Sequence, residues 1–225
     1  GDHSDPNFRK NWNAAREAGV PRGAYHFFYW CRTASSQADW FIRNVPKEKG
    51  ALPPVIDVEW NHTSSCKKRP SPATVREKMQ VFMDKLEAHY GQRPIIYTAP
   101  DFYEDNLQGA FKNYPFWLRS VAAHPSKVYP NRDFVFWQYS GTGLAASHDT
   151  RIDLNVFNGS ERTLVEMRLD GGPWIGMAKV REEDPLYVET RARETALKPP
   201  PGRALPEPKP SSHLWKILLP GPLAP

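Results

Sequence analysis

Short apolar runs alternate with amphipathic segments along most of this chain, and that alternation limits its fold more than any other feature. When strands alternate with helices, each helix returns the chain to the start of the next strand, and the strands pair in parallel. Most runs are continuously apolar, which predicts a sheet covered on both faces. An α/β barrel therefore fits better than an antiparallel sandwich. Strands are predicted at residues 20–30, 51–60, 93–99, 115–121, 134–140 and 151–157, and helices at 5–18, 36–45, 72–90 and 101–112.

The helix boundaries carry recognisable signals. Ser71 is a good N-cap, Pro72 suits the first helical position, and Gly91 marks the end of the helix between them. Asp5 is a possible N-cap for the first helix.

The composition changes after about residue 168. The segments KPPPGRALPEPKP and LLPGPLAP have the proline density of a disordered or extended tail. We therefore predict a folded domain over residues 1–168 and a tail over 169–225. The alternative is a docking segment built on Trp215, Ile217, Leu218 and Leu219.

Charge and hydropathy point away from nucleic acid and membrane partners. The net charge is +5, but the Lys and Arg residues are scattered and match no common nucleic-acid-binding module. No apolar run approaches the ~18 residues of a membrane span, and residue 1 does not begin a signal peptide. The segment is expected to be soluble.

The two cysteines, Cys31 and Cys66, have no metal-site spacing. Each closely follows a predicted strand, so a disulfide between neighbouring strand ends and two unpaired thiols are both open. His26 has no Cys or carboxylate at ligand spacing, and no metal site is predicted.

The stretch PVIDVEW places two acidic residues, Asp57 and Glu59, in a strand that otherwise reads as buried. Residues two apart in a strand share a face, so these carboxyl groups can share one site. Burial and mutual repulsion raise carboxyl pKa values, which suits a group that protonates a glycosidic oxygen beside a second carboxylate. The pair ends its strand, where α/β barrels build active sites. The alternative is a structural pair held by Arg or backbone donors.

Other predicted strand ends supply aromatic and polar groups suited to a sugar, whose ring faces stack while its hydroxyls form hydrogen bonds. Each is also compatible with a core position, and His26 with a buried, hydrogen-bonded histidine. The candidates for substrate binding are Tyr25, Tyr97, Trp117, Gln138, Tyr139 and Asp153.

The ordered motifs GAYHFF, PPVIDVEW, RPIIYTAPDF, YPFWLRS, FWQYSGTG and RIDLNVFNG resemble the glycoside hydrolase family 25 lysozymes, over roughly residues 1–168. The resemblance implies a flattened, irregular (β/α) barrel. It also implies cleavage of the β-1,4 bond between N-acetylmuramic acid and N-acetylglucosamine in peptidoglycan. No cofactor is implied, and the expected state is a monomer acting on glycan chains.

Transferred residue by residue, the resemblance makes Glu59 the general acid/base. Asp57 would position the substrate acetamido group or stabilise the oxocarbenium-like transition state, with Tyr97 and Asp153 in the same site. The implied location is extracellular or at the cell wall, which would permit a disulfide between Cys31 and Cys66.

The chain departs from the family pattern at its start. Family members begin with a strand resembling D-V-S-x-x-Q and a second strand ending near A-T-E-G, whereas this sequence opens with GDHSDPNF. We therefore expect a barrel lacking its first two strands and one acidic residue. Two alternatives follow: an inactive remnant that binds glycan through Trp117, Tyr97 and Tyr139, or a chitinase-like glycosidase, since those enzymes also end a strand with D-x-E.

Overall fold

One six-stranded sheet organises residues 2–62, 65–145 and 148–167, which are the residues that the computed structural model describes. The strands pair in sequence order, with β1 to β5 parallel and β6 antiparallel to β5. The sheet curls into a half-barrel, which confirms the predicted α/β fold. The strands are β1 Tyr25–Phe27, β2 Val55–Val58, β3 Ile95–Thr98, β4 Phe116–Arg119, β5 Phe136–Ala145 and β6 His148–Phe157.

The last pairing differs from the parallel arrangement that the alternation predicts. Only residues 146 and 147 separate β5 from β6, so there is no room for a crossover helix. A direct reversal of the chain makes the two strands antiparallel.

Six helices lie within the described residues: α1 Phe8–Glu17, α2 Ala34–Asn44, α3 Pro72–Tyr90, α4 Pro100–Asn106, α5 Pro125–Val128 and α6 Glu161–Glu166. Helix α3 has the predicted ends, because the Ser71 hydroxyl accepts from the Thr74 N–H at 3.3 Å and Gly91 adopts φ +79°.

Three boundary predictions were wrong or incomplete. Asn7, not Asp5, occupies the N-cap of α1, and the Asp5 carboxylate instead accepts from the Asn7 N–H at 2.9 Å. Helix α4 ends at Asn106, short of the predicted residue 112, and the chain then turns through left-handed Gly109 at φ +70°. Short helices α5 and α6 had not been predicted.

The main core lies between the outer face of the sheet and helices α2, α3 and α4. His26 belongs to this core: its Nε2 is 3.0 Å from Gln37 Oε1, and its ring stacks on Phe82 with centroids 5.2 Å apart. Burial lowers the pKa of His26 to about 4. His26 is thus a buried, hydrogen-bonded core residue on the face opposite the acidic pair.

A smaller cluster covers part of the inner face of the sheet. Leu164 and Met167, in and just after α6, pack there with Leu52 and Val135, which precede β2 and β5. This end of the inner face is therefore filled by side chains, and the carboxyl ends of the strands form the other end.

A disulfide joins Cys31, after β1, to Cys66, after β2, with their Cα atoms 5.9 Å apart. None of the described helices is both long and apolar enough to cross a membrane. The predicted tail, residues 169–225, lies outside the described part of the chain.

Candidate active site

A row of side chains crosses the inner face of the sheet in register. Each member is paired with the next across neighbouring strands, and the row places one carboxylate among aromatic rings. It runs Phe27, Asp57, Tyr97, Trp117, Phe136 and Phe157. The rings of Tyr97 and Trp117 meet edge to face, with centroids 5.4 Å apart.

A second row lies two residues further along the strands, where Arg119 pairs with Gln138 and Gln138 with Asn155. Two hydrogen bonds connect the rows. Tyr97 Oη donates to Gln138 Oε1 at 2.5 Å, and Trp117 Nε1 donates to Asn155 Oδ1 at 2.8 Å. These bonds fix the orientation of both aromatic side chains on the inner face.

Asp57 is the buried acid of the site, with only 9% of its surface exposed. Its Oδ1 atom has no hydrogen-bond partner among the described residues. Burial raises the pKa of Asp57 well above its ordinary value, and the charges of Glu59 and Asp153 raise it further. A buried carboxyl oxygen without a donor is costly to the fold, which is typical of a group kept for function.

Glu59 directly follows the last residue of β2. Burial raises its pKa, and the positive charge of Arg119 opposes that rise. The charges of Asp101 and Asp153 raise the pKa, and that of His62 lowers it. Glu59 therefore lies within electrostatic range of groups from several loops and strand ends, as an acid in a cleft does.

Asp57 and Glu59 are both carboxyl groups with raised pKa values. The charge of Glu59 adds to burial in disfavouring ionisation of Asp57, and burial is the main cause of the raised pKa of Glu59, so each holds its proton to a higher pH than an isolated carboxyl group. The site can therefore present a proton donor and a carboxylate side by side, which is the pair that cleavage of a glycosidic bond needs.

Most of the predicted substrate-binding residues lie near this pair. Burial and then the Asp57 charge raise the pKa of Tyr25, and the same two causes raise that of Tyr97. Asp153 lies beside Gly141, since a Cβ built on that glycine would be 3.5 Å from its Oδ1, and its charge raises the pKa of both Asp57 and Glu59. Trp117 and Gln138 belong to the two rows described above.

Tyr139 lies apart from this group. Its ring packs against Trp137, with centroids 6.0 Å apart, and Trp137 donates from its Nε1 to the Ser120 carbonyl. Trp137 pairs with Leu118, whose side chain belongs to the helix-side core. Gln138 and Tyr139 thus point to opposite faces of β5, and the structure brings only Gln138 to the acidic residues.

Sequence reasoning missed Arg119, Asn155 and Asp101. The first two stand two residues beyond Trp117 and Asp153, so strand alternation would have placed them on the same face. Asp101 begins α4, directly after the loop that ends β3. It pairs with His62 at 3.7 Å on the rim of the site, and neither had a signal in the sequence.

Within the described residues, no group of three or more His, Cys, Asp or Glu side chains is arranged to hold a metal ion.

The sequence also matches a model of a known family, described as "Glycosyl hydrolases family 25", over residues 1–148. The chain belongs to glycosyl hydrolase family 25. This agrees with the motif resemblance. The site residues lie in the matched region, except for Asp153 and Asn155, which follow it.

Among known relatives, the uncharacterized protein YegX of Escherichia coli O6:H1 is 37% identical over 163 residues, which are 71% of this chain and 56% of that protein.

Lysozyme M1 of Streptomyces globisporus is 29% identical over 176 residues, 74% of this chain and 59% of that enzyme. The chain thus spans a little over half the length of these two relatives. A solved family 25 glycosyl hydrolase from Bacillus anthracis superposes with a TM-score of 0.68 at 38% identity, covering 74% of this chain and 77% of that one. The half-barrel therefore matches the fold of a solved member of this family over 77% of that chain.

Proposed function

We propose that this protein is a peptidoglycan hydrolase that cleaves the β-1,4 bond between N-acetylmuramic acid and N-acetylglucosamine. The observation that carries the proposal is the acidic pair, buried Asp57 and half-buried Glu59, beside aromatic and amide side chains on the inner face of the sheet. Membership of family 25 and the similarity to a named lysozyme support the same activity.

In this proposal Glu59 is the general acid. Its raised pKa keeps a proton available, which passes to the glycosidic oxygen as the bond from that oxygen to C1 breaks. Glu59, now a carboxylate, then takes a proton from water as the water oxygen attacks C1. The second step returns Glu59 to its protonated form, so the cycle balances.

Asp57 acts on the substrate's acetamido group. Its partnerless Oδ1 is suited to accept the acetamide N–H. That bond would orient the acetamido oxygen to attack C1 and form a cyclic oxazolinium intermediate as the leaving group departs. The alternative role is electrostatic, with the Asp57 carboxylate stabilising positive charge at the oxocarbenium-like centre. Tyr25 and Tyr97 supply ring surface for the sugars, and Asp153 supplies a polar contact. Trp117 and Gln138 are buried, and they hold Asn155 and Tyr97 in place through their hydrogen bonds.

The test is release of reducing muramic acid ends from purified bacterial cell walls. Glu59→Gln removes the proton donor and should lower the rate about 10²–10⁴-fold. Glu104→Gln is the matched control, because Glu104 is an exposed α4 residue, and it should cleave at the wild-type rate. Wall clearing that survives Glu59→Gln would refute the assignment of the acid.

Two other outcomes distinguish the alternatives. Retention on insoluble peptidoglycan without released ends would favour a binding protein that has lost catalysis. Cleavage of chitin oligomers in preference to peptidoglycan would favour a chitinase-like glycosidase. Action outside the cell, at the wall, follows from the proposed substrate.

A further inference from the structure

A second cavity, of about 550 Å³, lies next to the candidate active site, between the loop after β1 and the loop after β2. Trp30 connects the two places. It lines the cavity, and its Nε1 donates to the backbone carbonyl of Glu59 at 3.4 Å. Four lining residues carry a positive charge and none of the lining residues is acidic; the cations are Arg32, Lys68, Arg69 and Lys78.

The cavity walls are held in place by covalent and polar links. The disulfide between Cys31 and Cys66 joins the two loops. Lys78, which reaches across from α3, donates to the carbonyls of Trp30 at 3.0 Å and Arg32 at 2.8 Å. Lys78 and the two loops are therefore positioned before any ligand arrives, which lowers the entropic cost of binding.

The positive charge in the cavity is largely uncompensated. Arg32 pairs with Asp2 at 2.7 Å, but both side chains are about half exposed, and solvent weakens that pair. No other cation of the four has a carboxylate ion-pair partner within the described ranges. Arg69 instead lies over the Trp60 ring, 4.4 Å from its centroid. Burial and the charge of Lys68 lower the pKa of Lys78, which is consistent with crowded positive charge.

We propose that this cavity binds a phosphate group of a polymer with repeating phosphodiester units. A phosphate accepts several hydrogen bonds at once. Arg and Lys donors that line one cavity, with the half-exposed Asp2 as the only carboxylate paired to them among the described residues, are suited to it. Lys68 and Arg69 are exposed, so a chain can run past the cavity into solvent. That the polymer is attached to peptidoglycan rests on the function proposed above, whereas phosphate binding itself does not.

The test is a calorimetric titration of the whole protein with a glycerol-phosphate oligomer at low salt. Lys68→Glu places a negative charge in the lining and should weaken binding about tenfold or more. Lys10→Glu makes the same change of net charge on the exposed surface of α1 and should leave the affinity within about twofold. Wild-type binding should also weaken as salt is added.

Three results would overturn the proposal: no measurable binding by the wild type, equal losses in Lys68→Glu and Lys10→Glu, or equally tight binding of a polyglutamate of matched charge. The last would show that any anionic polymer suffices. Because the titration needs no hydrolysis, it can be repeated with Glu59→Gln. Phosphate binding by a wild-type protein that releases no muramic acid ends would reject the proposed function while supporting this site.

Discussion

Replacing Asp57 by Asn should stabilise the protein at neutral pH while impairing its function. The buried Asp57 carboxylate has no donor on Oδ1 among the described residues, and an unpartnered buried charge costs more than a neutral amide in the same place, by about 1–3 kcal/mol. Asn has nearly the same size and carries no charge. We therefore expect Asp57→Asn to raise the free energy of unfolding by about 1–3 kcal/mol at pH 7, with about 2–4 °C in Tm for each kcal/mol.

The gain should depend on pH. The folded-state pKa of Asp57 is raised, so between the unfolded and folded pKa values the folded state binds more protons than the unfolded state. The stability of the wild type therefore falls as pH rises through that window. Asp57→Asn lacks this titration, and its advantage should be small near pH 4 and grow toward pH 7.

Urea unfolding at pH 4, 5, 6 and 7 measures the effect, with Asp133→Asn as the control. Asp133 is exposed, and its substitution should change stability by less than about 0.5 kcal/mol at each pH. An Asp57→Asn variant that is less stable than wild type at pH 7, or that has the same advantage at every pH, would refute the reasoning.

Two more substitutions test the site and its support. Arg119→Gln removes the charge that lowers the pKa of Glu59, so Glu59 should keep its proton to a higher pH. The pH at which activity is lost on the alkaline side should therefore rise. A pH–rate profile with an unchanged alkaline limb would contradict this. Replacing Cys31 and Cys66 by Ser opens a loop of 35 residues, and the chain-entropy model assigns the closure of such a loop about 4 kcal/mol of stability. Urea unfolding should show that the free energy of unfolding falls by about 2–4 kcal/mol. A fall below about 1 kcal/mol would argue that the disulfide does not support the site.

Local sequence signals predicted the regular parts of the fold well. Helix α3 has an N-cap, a proline at its start and a glycine just after its end, so its boundaries could be read directly. Helices α5 and α6 contain only four and six residues, too few for a periodic pattern to stand out. Strand β6 is antiparallel because only two residues connect it to β5. The predicted strands ended at residue 140 and began at residue 151, so the sequence suggested a longer connection.

The site was predictable where strand alternation and strand ends agree. Asp57, Tyr97 and Trp117 lie in three neighbouring strands, and the parallel register sets them side by side on one face. Alternation also says that Gln138 and Tyr139 face opposite ways, but not which of them faces inward. That choice depends on how β5 pairs with β4, a contact between distant parts of the chain.

The sheet pairs every described strand with its neighbour in sequence, from β1 to β6. As the chain leaves the ribosome, each new strand therefore finds an edge that has already been synthesised. Pairing between near neighbours keeps loop closures short and favours rapid folding. The same order means that Asp57 and Glu59 are in place before β4, β5 and β6 have been made, so the residues that enclose the acidic pair are the last to assemble.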